Sequence, residues 1–471
     1  MYGDFEAQRH WMELATSLPA RSWYENSTDN DLLYWGLDYP PLTGYHSWLL
    51  GLAGHQVVPE CFRLRESRGH ESPACRRYMR ATVLVSDLIV YLPGSALAAR
   101  GLARATKEGD SAGVRTATVL ALWLLPPLLL IDHGHFQYNG VCFGLALAAV
   151  GCVASGRRLW GSVFFTSALL YKQIALYYAP AFFFAILSEC LWTSTQDAKW
   201  ILRAGGRVAL TGAVVIATTM VLFLPWLTGP SPVGAVGQVL HRMFPFARGL
   251  YEDKVANVWC SISVVVKLHR LLRPELVPPV CALATFSALL PACLCCLRGG
   301  IRQRGPGAFA AALLVSSLAF FLLAFQVHEK AVLFPCIAAC LLPLACGPKR
   351  RPTWAVSALC HFHFVAMFSM YPLVVKDRLH VPYVVLTAGL AVLCEASLAT
   401  RVLRALFRFS FAGAGALHAI HALVPAPGRY PDAWTLLITS SSCGYFVCCL
   451  AGVSLLQLQG AFDGIGGGKE D

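Results

Sequence analysis

Charged side chains are scarce in this chain. Of its 471 residues, 14% are charged and 56% are hydrophobic, whereas soluble domains carry about 25% charged residues. The mean hydropathy is +0.55, and apolar runs close to the length of about 20 residues that crosses a bilayer recur along the chain. This composition excludes a soluble globular enzyme, a disordered chain and a disulfide scaffold. It predicts an all-α polytopic membrane protein.

Zinc-binding cysteine patterns are also lacking. The chain has 18 cysteines, but no CxxC pair is followed by a second pair at zinc spacing, and most cysteines lie in apolar runs, where they behave as small hydrophobes. We therefore predict no metal site from cysteine. The net charge of +12 would suggest nucleic acid in a soluble protein. In a membrane protein, an excess of Lys and Arg is expected in the cytoplasmic loops, so the positive charge predicts no nucleic-acid partner.

Thirteen apolar segments follow one another along the chain. Two of them are separated only by Tyr171-Lys172-Gln173, and we split them there because the charge pattern described next requires two crossings. The segments are 81–99, 116–131, 138–155, 159–170, 174–192, 208–228, 277–297, 307–327, 331–347, 353–375, 382–400, 405–424 and 434–459.

Basic residues are distributed unevenly between the two sides of this topology. With residues 1–80 on one side, the alternate loops carry 17 Lys and Arg residues, against five in the short loops opposite. Cytoplasmic loops collect basic residues, so residues 1–80 are predicted to face the lumen or the cell exterior. The predicted regions are a first lumenal loop at 1–80, transmembrane helices at 81–228, a second lumenal loop at 229–276, and transmembrane helices at 277–471 with a cytosolic C-terminus.

Aromatic, acidic and basic residues cluster in the lumenal regions. Carboxylates, imidazoles and cations together suit acid–base chemistry on a phosphorylated substrate, and we expect the clusters to converge at the lumenal face. A single glycosylation sequon begins at Asn26 in the first lumenal loop. The clusters occupy 3–11, 34–43, 132–139, 248–254 and 325–330.

These clusters resemble motifs of the dolichyl-phosphate-glucose-dependent glucosyltransferases of the endoplasmic reticulum, which have the multi-spanning GT-C fold. The resemblance covers nearly the whole chain, in the family's order. It implies an enzyme of the endoplasmic reticulum membrane with its active site facing the lumen. It also implies a transmembrane helix ahead of the first motif, which we expect to be missing from this chain. The motifs are GDFEAQRHWMEL, YWGLDYPPLTGYHS, DHGHFQYN, EDKVANVWC and FQVHEK.

The implied reaction moves glucose from dolichyl phosphate glucose to the lipid-linked Man9GlcNAc2 oligosaccharide, forming the first α-1,3 glucoside of the N-glycan precursor. The donor is β-linked, so the reaction inverts the sugar centre, and a carboxylate base takes the proton of the acceptor hydroxyl. Cations or imidazoles can stabilise the phosphate leaving group. The resemblance also implies a reaction that needs no metal, so no cofactor is expected.

Asp4 is the candidate base, by its place in the family's GDxE motif. A helix N-cap is the alternative, because Asp4 begins a helical-looking stretch and aspartate is a preferred cap. Asp38 is the second candidate. Two prolines follow it, so a turn is equally consistent with its sequence context.

His328 and Lys330 are the first candidates for holding the donor phosphate, and Arg248 and Lys254 are further ones. Lys330 snorkelling to the interface and an Arg248–Glu252 pair on a solvated loop are the alternatives. The remaining candidates for binding substrate are polar or aromatic residues of the lumenal motifs. They are Glu6, Arg9, His10, Trp35, Tyr39, His133, His135 and Gln137.

Three further patterns have two interpretations each, and two cysteines are candidates for a disulfide. His133 and His135 form an HxH pair, but no third zinc ligand is evident, so sugar or helix-end contacts are favoured. Asp29-Asn30-Asp31 matches a metal-binding DxD, and a solvated turn is favoured.

Asp87 lies inside an apolar span, where acids are functional by default, with helix packing as the alternative. Cys61 and Cys75 could pair in an oxidising lumen.

Other functions stay open. The sister enzyme that adds the second α-1,3 glucose shares the DYPP element. A polytopic transporter would fit the composition, but transporters place ionisable residues near the middle of the membrane and repeat their halves, and neither feature is seen here. A non-catalytic scaffold is disfavoured by the presence of both Asp4 and Asp38.

Overall fold

A computed structural model of the chain describes residues 4–106, 112–192, 199–244, 254–266, 271, 273–299, 301, 305–346, 355–398 and 400–463. Within these ranges the chain is helical and forms no strand. The helices of the first half are Phe5–Ser17, Ala20–Tyr24, Pro41–Val57, Pro59–Cys61, Pro73–Ser86, Asp87–Tyr91, Leu92–Ala105, Ala112–Trp123, Pro126–Leu128, Leu129–Phe136, Asn139–Ala154, Arg158–Tyr171, Gln173–Tyr178, Ala179–Leu191, Trp200–Leu222, Leu224–Leu227 and Pro232–Met243. Those of the second half are Val258–Ser263, Pro274–Leu276, Val277–Leu297, Gly307–Leu323, Glu329–Val332, Leu333–Ala345, Ala355–Ser369, Tyr371–Lys376, His380–Ser397, Arg401–Leu423 and Ala433–Leu458.

Seven stretches of the described chain are helical, long and apolar enough to cross a membrane. Each of the thirteen predicted segments overlaps a helix, because a stretch of that length in lipid must satisfy its own backbone hydrogen bonds. The polytopic all-α class is therefore confirmed, whereas thirteen crossings remain a prediction. The seven stretches are Pro73–Ala105, Ala112–Phe136, Gln173–Leu191, Trp200–Leu222, Pro274–Leu297, His380–Ser397 and Ala433–Leu458.

The helix break predicted at 171–173 is present. Arg158–Tyr171 ends at Lys172, which has an extended backbone (φ −145°, ψ 117°). A 3-10 segment, Gln173–Tyr178, then leads into the next helix. The polar triplet therefore interrupts what would otherwise be one long apolar helix.

Helices also form in two regions that lie outside the predicted spans. A π-helix, Leu129–Phe136, covers most of residues 132–137, and Asp132 is buried. Asp132 accepts hydrogen bonds from residues that follow this helix, which a hydropathy pattern cannot show. Residues 1–80 are likewise mostly helical, and their predicted lumenal side stays a prediction.

The chain divides into two compact units. The first comprises Met1–Gly101, Ile131–Leu176 and Thr195–Ala247, and the second comprises Leu102–Leu130, Tyr177–Ser194 and Arg248–Asp471. These units cut across the four predicted regions, whose placement relative to the membrane remains a prediction.

An aromatic core holds the first unit together. Trp226 is 1% exposed and packs edge-on against Trp23, Tyr24 and Tyr45 at centroid distances of 5.5–6.4 Å. Trp11 and Val239 belong to the same buried cluster. The helix that begins the chain is thereby attached to the segment after residue 222.

Helix backbones touch directly in the first unit. A β-carbon on Gly144, in Asn139–Ala154, would lie 2.5 Å from the carbonyl oxygen of Val90 and 2.8 Å from the Cα of Tyr91. Both contacts lie in the π-helical turn Asp87–Tyr91. Small residues permit this closeness between helices in lipid.

In the second unit, side chains bind main-chain oxygens of neighbouring helices. The hydroxyl of Ser316 donates to the carbonyl of Tyr177 at 2.7 Å. The amide of Gln457 donates to the carbonyls of Ala292 and Ala308 at 3.0 and 2.9 Å. These bonds satisfy buried polar groups where no water competes.

Gly144→Ala should destabilise the protein. The methyl group must push apart two backbones, and overpacking costs about 1–3 kcal/mol. Thermal unfolding in detergent should show a lower midpoint than for the parent.

Gly212→Ala is the matched control, because a β-carbon added there would meet nothing within 4 Å. It lies on Trp200–Leu222, whose apolar window is only 6% buried. Equal midpoints for the two variants would contradict close packing at Gly144.

Candidate active site

Asp4 occupies the N-cap position of Phe5–Ser17, but its side chain makes no cap hydrogen bond. Instead, its Oδ2 accepts a hydrogen bond from Nε2 of Gln137, and its Oδ1 lies 3.4 Å from Nε2 of His135. The side chain is 26% exposed. The carboxylate therefore faces the 132–139 motif while the side chain stays partly exposed, so the capping alternative is not what the structure shows.

Behind Asp4 lies a set of residues that we call the amide network, namely Asp4, Asp132, Gln137, Asn139 and Lys172. The Nζ of Lys172 donates to Oε1 of Gln137 at 3.0 Å and to Oδ1 of Asn139 at 2.6 Å. Asn139 donates in turn to Oε1 of Gln137 at 2.7 Å and to Oδ1 of Asp132 at 2.6 Å. A buried ammonium is thus joined through two carboxamides to two carboxylates.

Asp132 ends this network inside the protein. Its Oδ2 accepts from the backbone N–H of Gly140 at 2.7 Å, and the residue is 1% exposed. These bonds stabilise a carboxylate that would otherwise be costly to bury.

The two histidines of the HxH pair have different partners. His135 lies beside Asp4, whereas Nε2 of His133 lies 3.0 Å from Oδ2 of Asp87. Asp87, the acid inside an apolar span, thus contacts an imidazole. The pair is not arranged around a shared ion, so the zinc interpretation has no geometric support.

Glu6, Arg9 and His10, predicted to bind substrate, lie in a buried ionic cluster. Arg9 is 0% exposed and donates to both oxygens of Glu6 at 2.8 and 2.7 Å, and to Glu13 at 2.8 Å. It also donates to the carbonyl of Cys61 and the hydroxyl of Ser67, each at 2.7 Å. The cluster joins the first helix to the segment after residue 57. Contact of these residues with substrate stays a prediction. In the structure, the hydrogen bonds of the Arg9 guanidinium stabilise the fold.

The cluster shifts the titration of its acids. Burial alone would raise the pKa of Glu13, but its hydrogen bond to His10 and the charge of Arg9 outweigh burial and lower that pKa to about 2. Burial likewise opposes the shift at Glu6, yet bonding to Arg9 lowers its pKa as well. The pKa of Tyr34 shifts upward. Burial and the hydrogen bond that its hydroxyl donates to Glu6 raise this pKa to about 12.

Of the two aromatic candidates for binding substrate, Tyr39 lies beside the amide network. Tyr39 packs on Trp11 at 4.9 Å between centroids, and the Nζ of Lys172 lies 4.8 Å from the Tyr39 ring centre. Trp35 is 50% exposed and has a left-handed φ of 52°, with its carbonyl accepting from the indole of Trp11 at 2.8 Å. Asp38 is partly buried, and its backbone carbonyl accepts from Gln173 at 3.1 Å.

The predicted phosphate ligands that are described belong to the second unit. His328 and Lys330 are partly buried at the start of the 3-10 turn Glu329–Val332. Lys254 forms an ion pair with Asp432 at 2.5 Å, so its charge is partly compensated. Arg248 and its proposed partner Glu252 lie outside the described residues.

Metal and disulfide predictions have mixed outcomes. The DxD is a turn in which Asp29 pairs with Arg65 at 2.7 Å and Asp31 accepts from the N–H of Leu33 at 3.0 Å. Cys61 and Cys75 are buried thiols that hydrogen-bond to each other, so their pairing in an oxidising lumen stays a prediction. Among the described residues, Glu60, Cys61 and His70 bring possible metal-ligand atoms within 4.8 Å of one another.

Asn26 is exposed, and its side-chain oxygen accepts from the N–H of Leu32 at 3.2 Å. The exposure is compatible with the predicted glycosylation, which stays a prediction.

The sequence matches the family described as "ALG6, ALG8 glycosyltransferase family" over residues 1–452. The chain belongs to this family. The family resemblance of the sequence motifs is thereby confirmed, and so is the class of enzyme, a glycosyltransferase.

Relatives in this family are similar over nearly their whole length. A Drosophila melanogaster protein named "Probable dolichyl pyrophosphate Man9GlcNAc2 alpha-1,3-glucosyltransferase" is 41% identical, covering 95% of this chain and 90% of that protein. A Gallus gallus protein named "Dolichyl pyrophosphate Man9GlcNAc2 alpha-1,3-glucosyltransferase" is 38% identical, covering 97% and 91%. A Dictyostelium discoideum protein named as the Drosophila one is 36% identical, covering 95% and 88%.

Three members of the amide network were not among the candidate site residues from the sequence, namely Lys172, Asn139 and Asp132. Asp132 and Asn139 lie inside a recognised motif but were not singled out. In the sequence analysis, Lys172 is only one of the five basic residues in the short loops. Its polar partners could have been predicted, because a lysine between two apolar helices is costly to place unless it has partners.

The lowered pKa of Glu13 predicts a loss of stability in acid. The folded pKa of about 2 lies below the ordinary glutamate value of 4.5, so the stabilisation is fully present above about pH 4.5 and is lost as the pH falls towards 2. Glu13→Gln should flatten this part of the pH dependence of the thermal midpoint, because glutamine does not titrate.

Glu66→Gln is the matched control, since Glu66 pairs with Arg63 at 3.8 Å and its side chain is 73% exposed. Its acid dependence should equal that of the parent. An unchanged slope in Glu13→Gln would show that the buried cluster does not contribute.

Proposed function

We propose that the chain transfers glucose from dolichyl phosphate glucose to the dolichyl-diphosphate-linked Man9GlcNAc2 oligosaccharide, forming an α-1,3 glucoside. The acceptor and the linkage are supported by the names of the relatives, which align over nearly the whole chain. The dolichyl phosphate donor and the inversion of the sugar centre are supported by the resemblance of the motifs.

The position of Asp4 is the observation that carries the mechanism. Its carboxylate is a partly exposed hydrogen-bond acceptor held by Gln137 beside His135. A base needs a fixed orientation and access to the proton that it removes. Asp4 meets both requirements, so we assign it as the general base.

The reaction is a single displacement. Asp4 takes the proton of the acceptor hydroxyl as that oxygen forms its bond to the anomeric carbon of glucose. The bond from that carbon to the phosphate oxygen breaks, and its electron pair leaves with dolichyl phosphate. Cationic groups can stabilise the departing phosphate, and we assign this role to His328 and Lys330, with Lys254 as a further candidate. No metal takes part in the proposed step.

The proposed location is the endoplasmic reticulum membrane, with Asp4 on the lumenal side. The excess of basic residues in the loops opposite residues 1–80 supports this orientation. Both proposed substrates carry polyprenol chains, so a site beside the membrane lets their tails stay in lipid.

Asp4→Asn should abolish most transfer. The experiment is glucose transfer in liposomes from dolichyl phosphate glucose to lipid-linked Man9GlcNAc2 with EDTA present. We expect the parent to be active and the variant to lose about 10²–10⁴-fold in kcat, the range for removal of a general base.

Asp29→Asn, on the surface turn, is the control with the same chemical change and should retain parental activity. Retained activity in Asp4→Asn with loss in Asp38→Asn would move the base to Asp38. Loss of parental activity in EDTA would refute metal independence.

The acceptor tests the second candidate, the sister enzyme. That enzyme shares the DYPP element, but we would not expect it to carry the EAQRHW and YWGLDYPPLT runs of this chain. It would use only the acceptor that already carries one glucose. Transfer to Man9GlcNAc2 and none to its monoglucosylated form supports the first assignment, and the reverse overturns it.

A further inference from the structure

Lys172 is a buried cation with no role in the reaction as described so far. We propose that it is a positioning residue for the base, which fixes the carboxamide of Gln137 so that its NH2 group faces Asp4. This inference rests on the proposed function, because it concerns the same base.

The contacts of Lys172 carry the argument. The residue is 9% exposed, and its Nζ lies 3.0 Å from Oε1 of Gln137 and 2.6 Å from Oδ1 of Asn139. Burying an ammonium costs several kcal/mol unless acceptors replace water. The two carboxamide oxygens provide this compensation.

The ammonium acts together with Asn139 in fixing which way the Gln137 carboxamide points. Lysine offers only donors, so it must face the carbonyl oxygen of Gln137. Asn139 donates to the same oxygen at 2.7 Å. A flipped carboxamide would place its NH2 group against two donors, and its carbonyl oxygen against the carboxylate of Asp4. With Lys172 present, only the observed orientation is favourable.

The backbone on both sides brings these groups together. Phe136 has a left-handed φ of 81°, a conformation that non-glycine residues adopt at a cost and that clusters at functional sites. It immediately precedes Gln137, at the end of the π-helix Leu129–Phe136. Lys172 lies where Arg158–Tyr171 ends. Two irregular chain positions thus present the amide and the ammonium to each other.

The consequence for the reaction is an oriented base. A hydrogen bond to the ionised carboxylate favours that form over the protonated one, and it also holds the second oxygen in a fixed direction. The titratable groups seen to interact with Asp4 in the described part of the chain include His135 and Tyr39. Loss of the Gln137 donor should make Asp4 easier to protonate and less well aimed.

Lys172→Met tests the inference in the liposome assay. We expect kcat to fall by about 10- to 100-fold, as for misplacement of a catalytic group. The KM values for donor and acceptor should change less than about threefold. The acid limb of the kcat profile should move to higher pH, because the carboxylate has lost a stabilising donor. Lys172→Arg, which keeps the charge, should retain the parental pH profile.

Lys376→Met is the matched control, since Lys376 is exposed in the second unit. It should leave kcat and the pH profile unchanged. A rise in the donor KM with kcat unchanged in Lys172→Met would show direct substrate binding and overturn the positioning role.

A double-mutant comparison separates positioning from a general structural effect. If Lys172 acts through Gln137, Gln137→Leu and Lys172→Met combined should cost no more than Gln137→Leu alone. Additive losses overturn the inference.

Gln137→Glu tests the same link if Lys172→Met fails to fold. It keeps an acceptor for Lys172 but replaces the donor to Asp4 by a negative charge. We expect the same loss of kcat and the same shift of the acid limb, and a parental profile overturns the inference. An inactive parent would instead refute the proposed function, so the two failures are distinguishable.

Discussion

The fold around the candidate site depends on one buried guanidinium. Arg9 joins two acids of its own helix to the carbonyl of Cys61 and the hydroxyl of Ser67, more than 50 residues further along the chain. Asp4 begins that helix, so the direction in which Asp4 is presented follows from where Arg9 fastens the helix. Removing one partner of such a buried ion pair typically costs about 3–5 kcal/mol. A folding interaction therefore sets the geometry of a proposed catalytic group.

Polar groups of the motifs bind to one another. In the amide network, Lys172, Gln137 and Asn139 each donate to an oxygen of another member, and the chain of bonds ends on carboxylates. Low local polarity strengthens such bonds and penalises any unpaired member. This explains why these residues occur as a group: changing one leaves its neighbours unsatisfied.

Much of the helical framework could be predicted from the sequence. A span is a local property of about 20 residues, so hydropathy located the helices, and charge counting located the break at Lys172. The resemblance to the family selected Asp4, where local sequence favoured a cap. The structure then showed that its side chain bonds to Gln137 and not to its own helix.

The rest depended on contacts between distant residues. The prediction that Arg9 binds substrate rests on a short motif, which cannot show its partners Cys61 and Ser67. The 132–139 motif likewise does not reveal that Asp132 is buried with Asn139 and Gly140 as its partners.

The π-helix Leu129–Phe136 sets the directions in which its own side chains and those just after it point. In an α-helix each residue turns the next by about 100°, and a wide turn changes where all later side chains point. Removing one residue from the segment would rotate His135 and Gln137 away from Asp4 while leaving every side chain chemically intact. The arrangement of the site is thus recorded in the length of this segment as well as in its residues, so an insertion or deletion here would be as consequential as a substitution.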